Sequence, residues 1–291
     1  MTYWPILEHR PHFKSLSKST PLKYLATSLS QAIFRPLMND HHTQPLHHSW
    51  VQTQDGSWTL FSERFQEACH STTGAETETD LHYIKGCSIL DLESPSILEV
   101  GFGLGVGFLT TYRTLLDSNK SWSFLSLEID RDLVEWFRLE NVNHPFLSKL
   151  KWEGNLLKAQ NDQVTLIILV GDARKVLPAF LEDSSFSWNA IYQDAFSPKK
   201  NPSLWTKEWF ELLKKFSTHD VKLSTYSASS SIRKSLLEAG WTLSKGEKFG
   251  PKRTSTRASL TGFTDPEILL HLERSPVSAL TDDNIQEFLH N

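Results

Sequence analysis

From residue 94 onward, apolar runs of five to seven residues alternate with stretches in which apolar positions recur every three to four residues. The runs are short and rich in Val, Ile, Leu and aromatics, the mark of strands buried on both faces. They predict seven strands, at 96–100, 123–128, 164–170, 189–193, 221–226, 241–245 and 257–261, and the periodic stretches predict helices at 105–116, 132–141, 173–181, 206–215 and 230–239. Parallel neighbours need a crossover, and a helix between strands supplies it. The expected class is therefore α/β, a doubly wound sheet. No helix fits between the sixth and seventh strands, so these pair as an antiparallel hairpin and the last strand runs against the rest.

The pattern weakens before residue 94. Residues 1–48 hold Ser, Pro and His and few acids, are weakly periodic except at 22–37, where an amphipathic helix fits, and read as an N-terminal arm. The segment lacks the repeated arginines of a strong transit peptide. Its paired histidines, His41 with His42 and His47 with His48, do not share a helix face and have no carboxylate or thiol companion, so no metal site is expected. Residues 49–93 form an appendage: two strand-like runs flank Asp55-Gly56, a strong hairpin signal, and a short helix is expected at 62–70. Residues 94–262 make the main domain and 263–291 an acidic C-terminal tail.

In open parallel sheets ligands bind outside the carboxyl ends of the strands, so polar groups at each strand end are candidates for ligand contact. The first carries Glu99 into Gly101-Phe-Gly103-Leu-Gly105-Val-Gly107, a turn that brings bare backbone against a ligand. The spacing fails the dinucleotide pattern Gly-x-Gly-x-x-Gly, because Val106 and Phe108 stand where the third glycine belongs. An acid two residues before the first glycine suits a ligand with a cationic amine, such as S-adenosylmethionine, and a structural strand-to-helix turn is the alternative. The second strand ends at Glu128, placed to accept from ribose hydroxyls. The third ends at Asp172, which can accept from an adenine amino group or cap the following helix. The fourth ends in Asp194-Ala-Phe196-Ser-Pro-Lys199-Lys200-Asn-Pro202. There a carboxylate can orient an acceptor ammonium and take its proton, or cap its own loop. Phe196 is either core or a stacking surface.

With 291 residues, a net charge of −4 and no long apolar span, the chain is neither a generally basic nucleic-acid binder nor a membrane protein. Its two cysteines, Cys69 and Cys87, suit a reduced, cytoplasmic protein. Charge is unevenly spread, however. Residues 197–260 hold 13 Lys and Arg against 5 acids, while 263–291 hold one Arg against 6. Lys199, Lys200, Lys248, Lys252 and Arg253 should emerge on the ligand face, as a phosphate-bearing substrate requires; a solvated mixed face is the plainer reading.

Three elements resemble the methyltransferase domain of the MnmC-like family. They are Asp55-Gly-Ser with Phe65-Gln-Glu-Ala-Cys-His-Ser71, Gly74-Ala and Glu78; Glu99-Val-Gly-Phe-Gly-Leu-Gly105 with Phe108-Leu109; and the 194–205 loop with Phe249-Gly-Pro-Lys-Arg253. The resemblance covers roughly 49–262, and it differs from the family pattern at Cys69, Gly107 and Thr254. It implies a class I, Rossmann-like methyltransferase using S-adenosylmethionine to methylate the primary amine of 5-aminomethyl-2-thiouridine at the tRNA wobble position. By that resemblance Glu99, Gly101, Gly103 and Gly105 would hold the methionine part, Glu128 the ribose, Asp172 and Ala173 the adenine, and Asp194 the acceptor amine. Glu67, His70 and Glu78 match without an assigned role. The flavin oxidase domain of bifunctional members is not expected. Two other functions fit the residues: a methyl- or aminopropyltransferase acting on a small amine, and a non-catalytic tRNA-binding protein that keeps the fold.

Overall fold

The computed structural model describes residues 47–53, 58–70, 74–248 and 254–290. The 22–37 helix, His41, His42, the Asp55-Gly56 turn, Lys252 and Arg253 lie outside them.

Two strands, β1 (His48–Gln52) and β2 (Trp58–Ser62), pair antiparallel on either side of the undescribed turn, with Gln52 opposite Trp58. The helix expected at 62–70 is absent. Instead the chain turns at Gln66, whose φ is +52°, and adds a two-residue strand β3 (Glu67–Ala68) to β2. This return aims the 64–70 side chains at the ends of the large sheet. A helix α1 (Ala75–Thr79) follows and runs into a π-helical turn, Asp80–Ile84.

The large sheet and its helices then alternate in the expected order. They are β4 (Ser96–Val100), α2 (Val106–Leu115), β5 (Trp122–Glu128), α3 (Arg131–Glu140), β6 (Lys151–Glu153), β7 (Leu156–Gln160), β8 (Val164–Val170), α4 (Ala173–Glu182), β9 (Trp188–Gln193), α5 (Lys207–Lys215), β10 (Ser217–Thr225), α6 (Ser230–Glu238), β11 (Thr242–Gly246) and β12 (Ser255–Ser259). The sheet has nine strands in the order β11-β12-β10-β9-β4-β5-β8-β7-β6, so the expected seven are joined by an edge hairpin, β6–β7. Residues 154 and 155 join its two strands, and Gly154 has a φ of +66°, which an L side chain rarely adopts. Strands β4, β5, β8, β9 and β10 are parallel, and β12 runs antiparallel between β10 and β11, as the missing crossover helix required.

Leu98, Leu125, Ile191 and Leu223 of the central strands are wholly buried, and helices on both faces cover them. The described part of the C-terminal segment, residues 263–290, is docked and does not trail as a tail. Its helix α7 (Pro266–Arg274) buries Ile268 and Leu272, Leu280 exchanges hydrogen bonds with Ser235 Oγ, and a last helix α8 (Ile285–His290) follows. Most acids of this segment are exposed, and Ile268, Leu272, Ala279 and Leu280 are buried while Phe263, Leu270 and Val277 stay at the surface, a division that composition alone could not show.

Candidate functional site

The order β9-β4-β5-β8 places the carboxyl ends of four parallel strands side by side. A cleft of about 520 Å³ opens there, within the size range of small-molecule sites. Gly101, Gly103, Glu128, Asp172, Ala173, Asp194 and Phe196 all line it. The fold thus brings seven of the candidate residues together from four separate strand ends.

The glycine turn is shaped by close approach. Gly101 has a φ of +99°, and a Cβ there would lie 2.6 Å from the Asp194 carbonyl oxygen. The Asp194 N–H in turn donates to the Val100 carbonyl at 3.0 Å. The turn after β4 and the loop after β9 are therefore in backbone contact. Gly103 (φ +52°) faces the cleft, and its N–H donates to Glu128 Oε2 at 3.0 Å. The other Glu128 oxygen accepts from the Ile129 and Asp130 N–H groups at 2.8 and 3.0 Å. Three backbone donors so fix the carboxylate at the end of β5. Asp172 caps α4, accepting from the Arg174 N–H at 3.1 Å, and lines the cleft as well, so both of its expected roles are sterically compatible.

Other candidates are placed differently. Glu99 does not line the cleft: it is 2% exposed, accepts from Ser126 Oγ at 2.6 Å, and would meet a Cβ at Gly107 with its Oε1. An alternating strand sends its side chain to the helix side of β4, beneath the turn, and not to the ligand. Gly105 is the left-handed N-cap of α2 and is likewise outside the lining. Lys199 and Lys200 are exposed beyond the cleft wall.

Carboxylates dominate the electrostatics. Burial pushes the Glu99 and Glu128 carboxyls above the usual range, and Glu99 feels Asp194 and Glu128 as well. Burial, Glu128, Asp194 and Asp130 together push the Cys69 thiol up, so it is no nucleophile. A cleft lined by Glu67, Glu78, Glu128, Asp130, Asp172 and Asp194 favours a cationic ligand. A sulfonium with a free ammonium meets that requirement, and the donor and acceptor set fits S-adenosylmethionine.

The N-terminal hairpin supplies a wall that sequence reasoning left without a role. Arg64, Phe65, Glu67, Cys69 and His70 line the cleft, as does Glu78. Glu67 Oε2 accepts from the Ser197 N–H at 2.9 Å, and Phe65 stacks on Phe196 with centroids 4.4 Å apart. His70 lies against Gly103, its Nδ1 3.3 Å from Thr59 Oγ1, and burial lowers its pKa to about 4. Asp194 Oδ1 accepts from the Tyr83 hydroxyl at 2.5 Å, and Tyr226 donates to the Ala195 carbonyl at 2.8 Å. Neither tyrosine carried a motif signal: Tyr83 lies in a segment with no predicted element and Tyr226 ends a predicted strand, and a lone Tyr in either place is ordinarily core.

Residues 139–261 match a family described as S-adenosyl-L-methionine-dependent methyltransferase. An uncharacterized protein of Methanocaldococcus jannaschii is 31% identical over 220 residues, covering 72% of this chain and 59% of that protein. The tRNA 5-methylaminomethyl-2-thiouridine biosynthesis bifunctional protein MnmC of Ralstonia nicotianae is 30% identical over 226 residues, covering 69% of this chain. The match spans 33% of that bifunctional protein. The crystal structure of MNMC2 from Aquifex aeolicus aligns with a TM-score of 0.65 at 26% identity, over 90% of this chain and 93% of that one.

Proposed function

We propose, for a chain that belongs to the S-adenosyl-L-methionine-dependent methyltransferases and is related to the MnmC methyltransferase domain, that it methylates the primary amine of 5-aminomethyl-2-thiouridine in tRNA in the cytoplasm. One observation carries the reading: Asp194 shares a single cleft with Gly103 and Glu128. A proton acceptor for the amine and the residues that would hold the methyl donor therefore face the same space.

The Gly101–Gly103 backbone would hold the methionine part, Glu128 the ribose, and Asp172 with Ala173 the adenine. S-adenosylmethionine, when bound, would supply an electrophilic sulfonium methyl group to a nitrogen lone pair. An alkylamine is mostly protonated at neutral pH and has no lone pair to offer. Asp194 orients this ammonium and accepts its proton, leaving the nitrogen free to react. The hairpin wall and the 194–204 loop flank Asp194 on either side of the cleft, and a bound substrate that displaced water there would strengthen the carboxylate's hold. Phe196 and Phe65 present an aromatic rim for a flipped or splayed nucleobase, while Lys199, Lys200, Lys252 and Arg253 would meet phosphates.

The test is incubation with isotopically labelled S-adenosylmethionine and tRNA bearing the 5-aminomethyl group, followed by nucleoside mass spectrometry. Label in 5-methylaminomethyl-2-thiouridine is the expected result. Transfer to free small amines with none to tRNA would overturn the tRNA assignment, and absence of cofactor binding by calorimetry would favour a non-catalytic protein.

A further inference from the structure

We propose that Tyr83 is the positioning residue of the methyl-transfer step, holding the Asp194 carboxylate ionised and in register through its hydroxyl. The inference rests on the function proposed above for Asp194 and adds a partner to it.

Tyr83 is presented by an unusual piece of backbone. Residues 80–84 form a π-helical turn, in which the Lys85 N–H reaches back five residues to the Asp80 carbonyl at 3.0 Å. Such turns are rare, and they concentrate at functional sites because the added residue redirects a side chain. Here the turn is clamped from outside. Ser224 Oγ donates to the His82 carbonyl, and that carbonyl occupies the space a Cβ at Gly86 would need. The Cys87 N–H donates to the Tyr83 carbonyl at 2.9 Å. The Tyr83 ring is 2% exposed and stacks on Tyr192 of β9, with centroids 5.1 Å apart and planes 27° apart. Tyr192 is itself fixed by a 3.1 Å hydrogen bond to Thr111 of α2.

The ring is therefore held by packing, and its hydroxyl reaches Asp194 Oδ1 at 2.5 Å. Short O–H···O⁻ bonds are among the stronger hydrogen bonds in proteins. Burial and the neighbouring Asp194 push the phenol far above its ordinary value, so Tyr83 stays a donor throughout the working pH range. Other titratable groups also act on Asp194. Among the described residues, Glu99 lies beneath it on β4, Tyr226 follows β10, and Cys69 faces it from the hairpin. Glu99, when ionised, opposes the charge on Asp194. A phenol donating to the carboxylate works the other way and favours the charged form. A base for an ammonium has to be ionised before substrate arrives, and it has to point at the nitrogen. Tyr83 supplies both conditions without touching the substrate.

The test uses the full chain and Tyr83→Phe, which keeps the ring stack and removes the hydroxyl. Two readouts are needed. In the first, protein labelled with 13C at the Asp carboxyl carbons is titrated by NMR without substrate, the Asp194 signal being assigned by its loss in Asp194→Asn. The expected result is a rise of about one pH unit in the Asp194 midpoint. In the second, methyl transfer to aminomethyl-bearing tRNA is followed against pH. The acid limb of kcat/KM should move up by a similar interval, kcat on the plateau should fall about ten-fold, and the Kd for S-adenosylmethionine should stay within about two-fold. An unchanged Asp194 midpoint overturns the inference whatever the rates do. A wild-type protein that never methylates this tRNA overturns the proposed function, and the carboxyl titration then still decides whether Tyr83 governs Asp194.

Discussion

Glu128 shows how a single side chain can be legible in sequence and still be under-read. Its place at the end of β5 follows from strand periodicity, whereas its three backbone donors depend on how the Gly103 turn and the 129–130 loop close around it. Because both oxygens already accept, Glu128→Gln would set an amide N–H₂ against a backbone N–H. We expect its Kd for S-adenosylmethionine to rise about ten-fold or more, roughly 1.4 kcal/mol, by calorimetry; unchanged affinity would remove the ribose assignment. His70 gives a pH prediction of definite sign. Burial holds its folded pKa at about 4, against 6.5 for the ordinary group. The unfolded chain therefore binds the extra proton first, and the stability His70 contributes is complete above about pH 6.5 and is lost as pH falls through about 4. Glu99 and Glu128 act oppositely, since their raised values favour the folded state as pH falls. Only a difference isolates His70: the urea midpoint of wild type minus that of His70→Gln should decline between pH 7 and pH 4.5. A constant difference would mean that the imidazole is not held neutral by burial.

At the scale of elements, the apolar runs made the central sheet readable because parallel strands buried on both faces leave little ambiguity. The edge was harder. Strands β6 and β7 read Lys-Trp-Glu and Leu-Leu-Lys-Ala-Gln, half polar because one side meets solvent, although the intervening Gly154-Asn155 is a two-residue hairpin signal. The 62–70 segment failed for another reason: its composition permits a helix, but pairing of Phe61 with Ala68 and Ser62 with Glu67 outweighs that propensity. The C-terminal segment yields a sharp test. A solvated tail could be removed without effect, whereas deleting residues 263–291 would uncover the surfaces that Ile268, Leu272 and Leu280 bury. At roughly 1.5–3 kcal/mol for each large apolar side chain, the loss should approach the whole stability of an ordinary domain. Thermal melting should show a fall of more than about 10 °C or an insoluble protein; an unshifted Tm would mean that the segment contributes nothing.

For the whole molecule, net charge says little and its distribution says more. The cleft is acidic, while the 197–260 segment that borders it carries the basic excess. Such a pairing suits a substrate with an ammonium at the point of reaction and phosphates farther out. Lys252→Ala with Arg253→Ala should weaken tRNA binding and reduce the slope of log K against log salt by about one to two, with S-adenosylmethionine affinity unaltered; an unchanged slope would mean that the turn meets no phosphate. The shared wall between the β4 turn and the β9 loop, where Gly101 has no room for a methyl group beside the Asp194 carbonyl, bears on how such a site can change through descent. Any drift of the acceptor loop toward a new substrate must preserve the backbone that cradles the donor, because the contact at position 101 is with the main chain of 194–195 and no side-chain change there relieves it. A library randomised at 101 alone should return glycine almost exclusively, and acceptor preference should evolve by remodelling the hairpin opposite, at Arg64, Phe65 and Glu67, before it touches the loop itself.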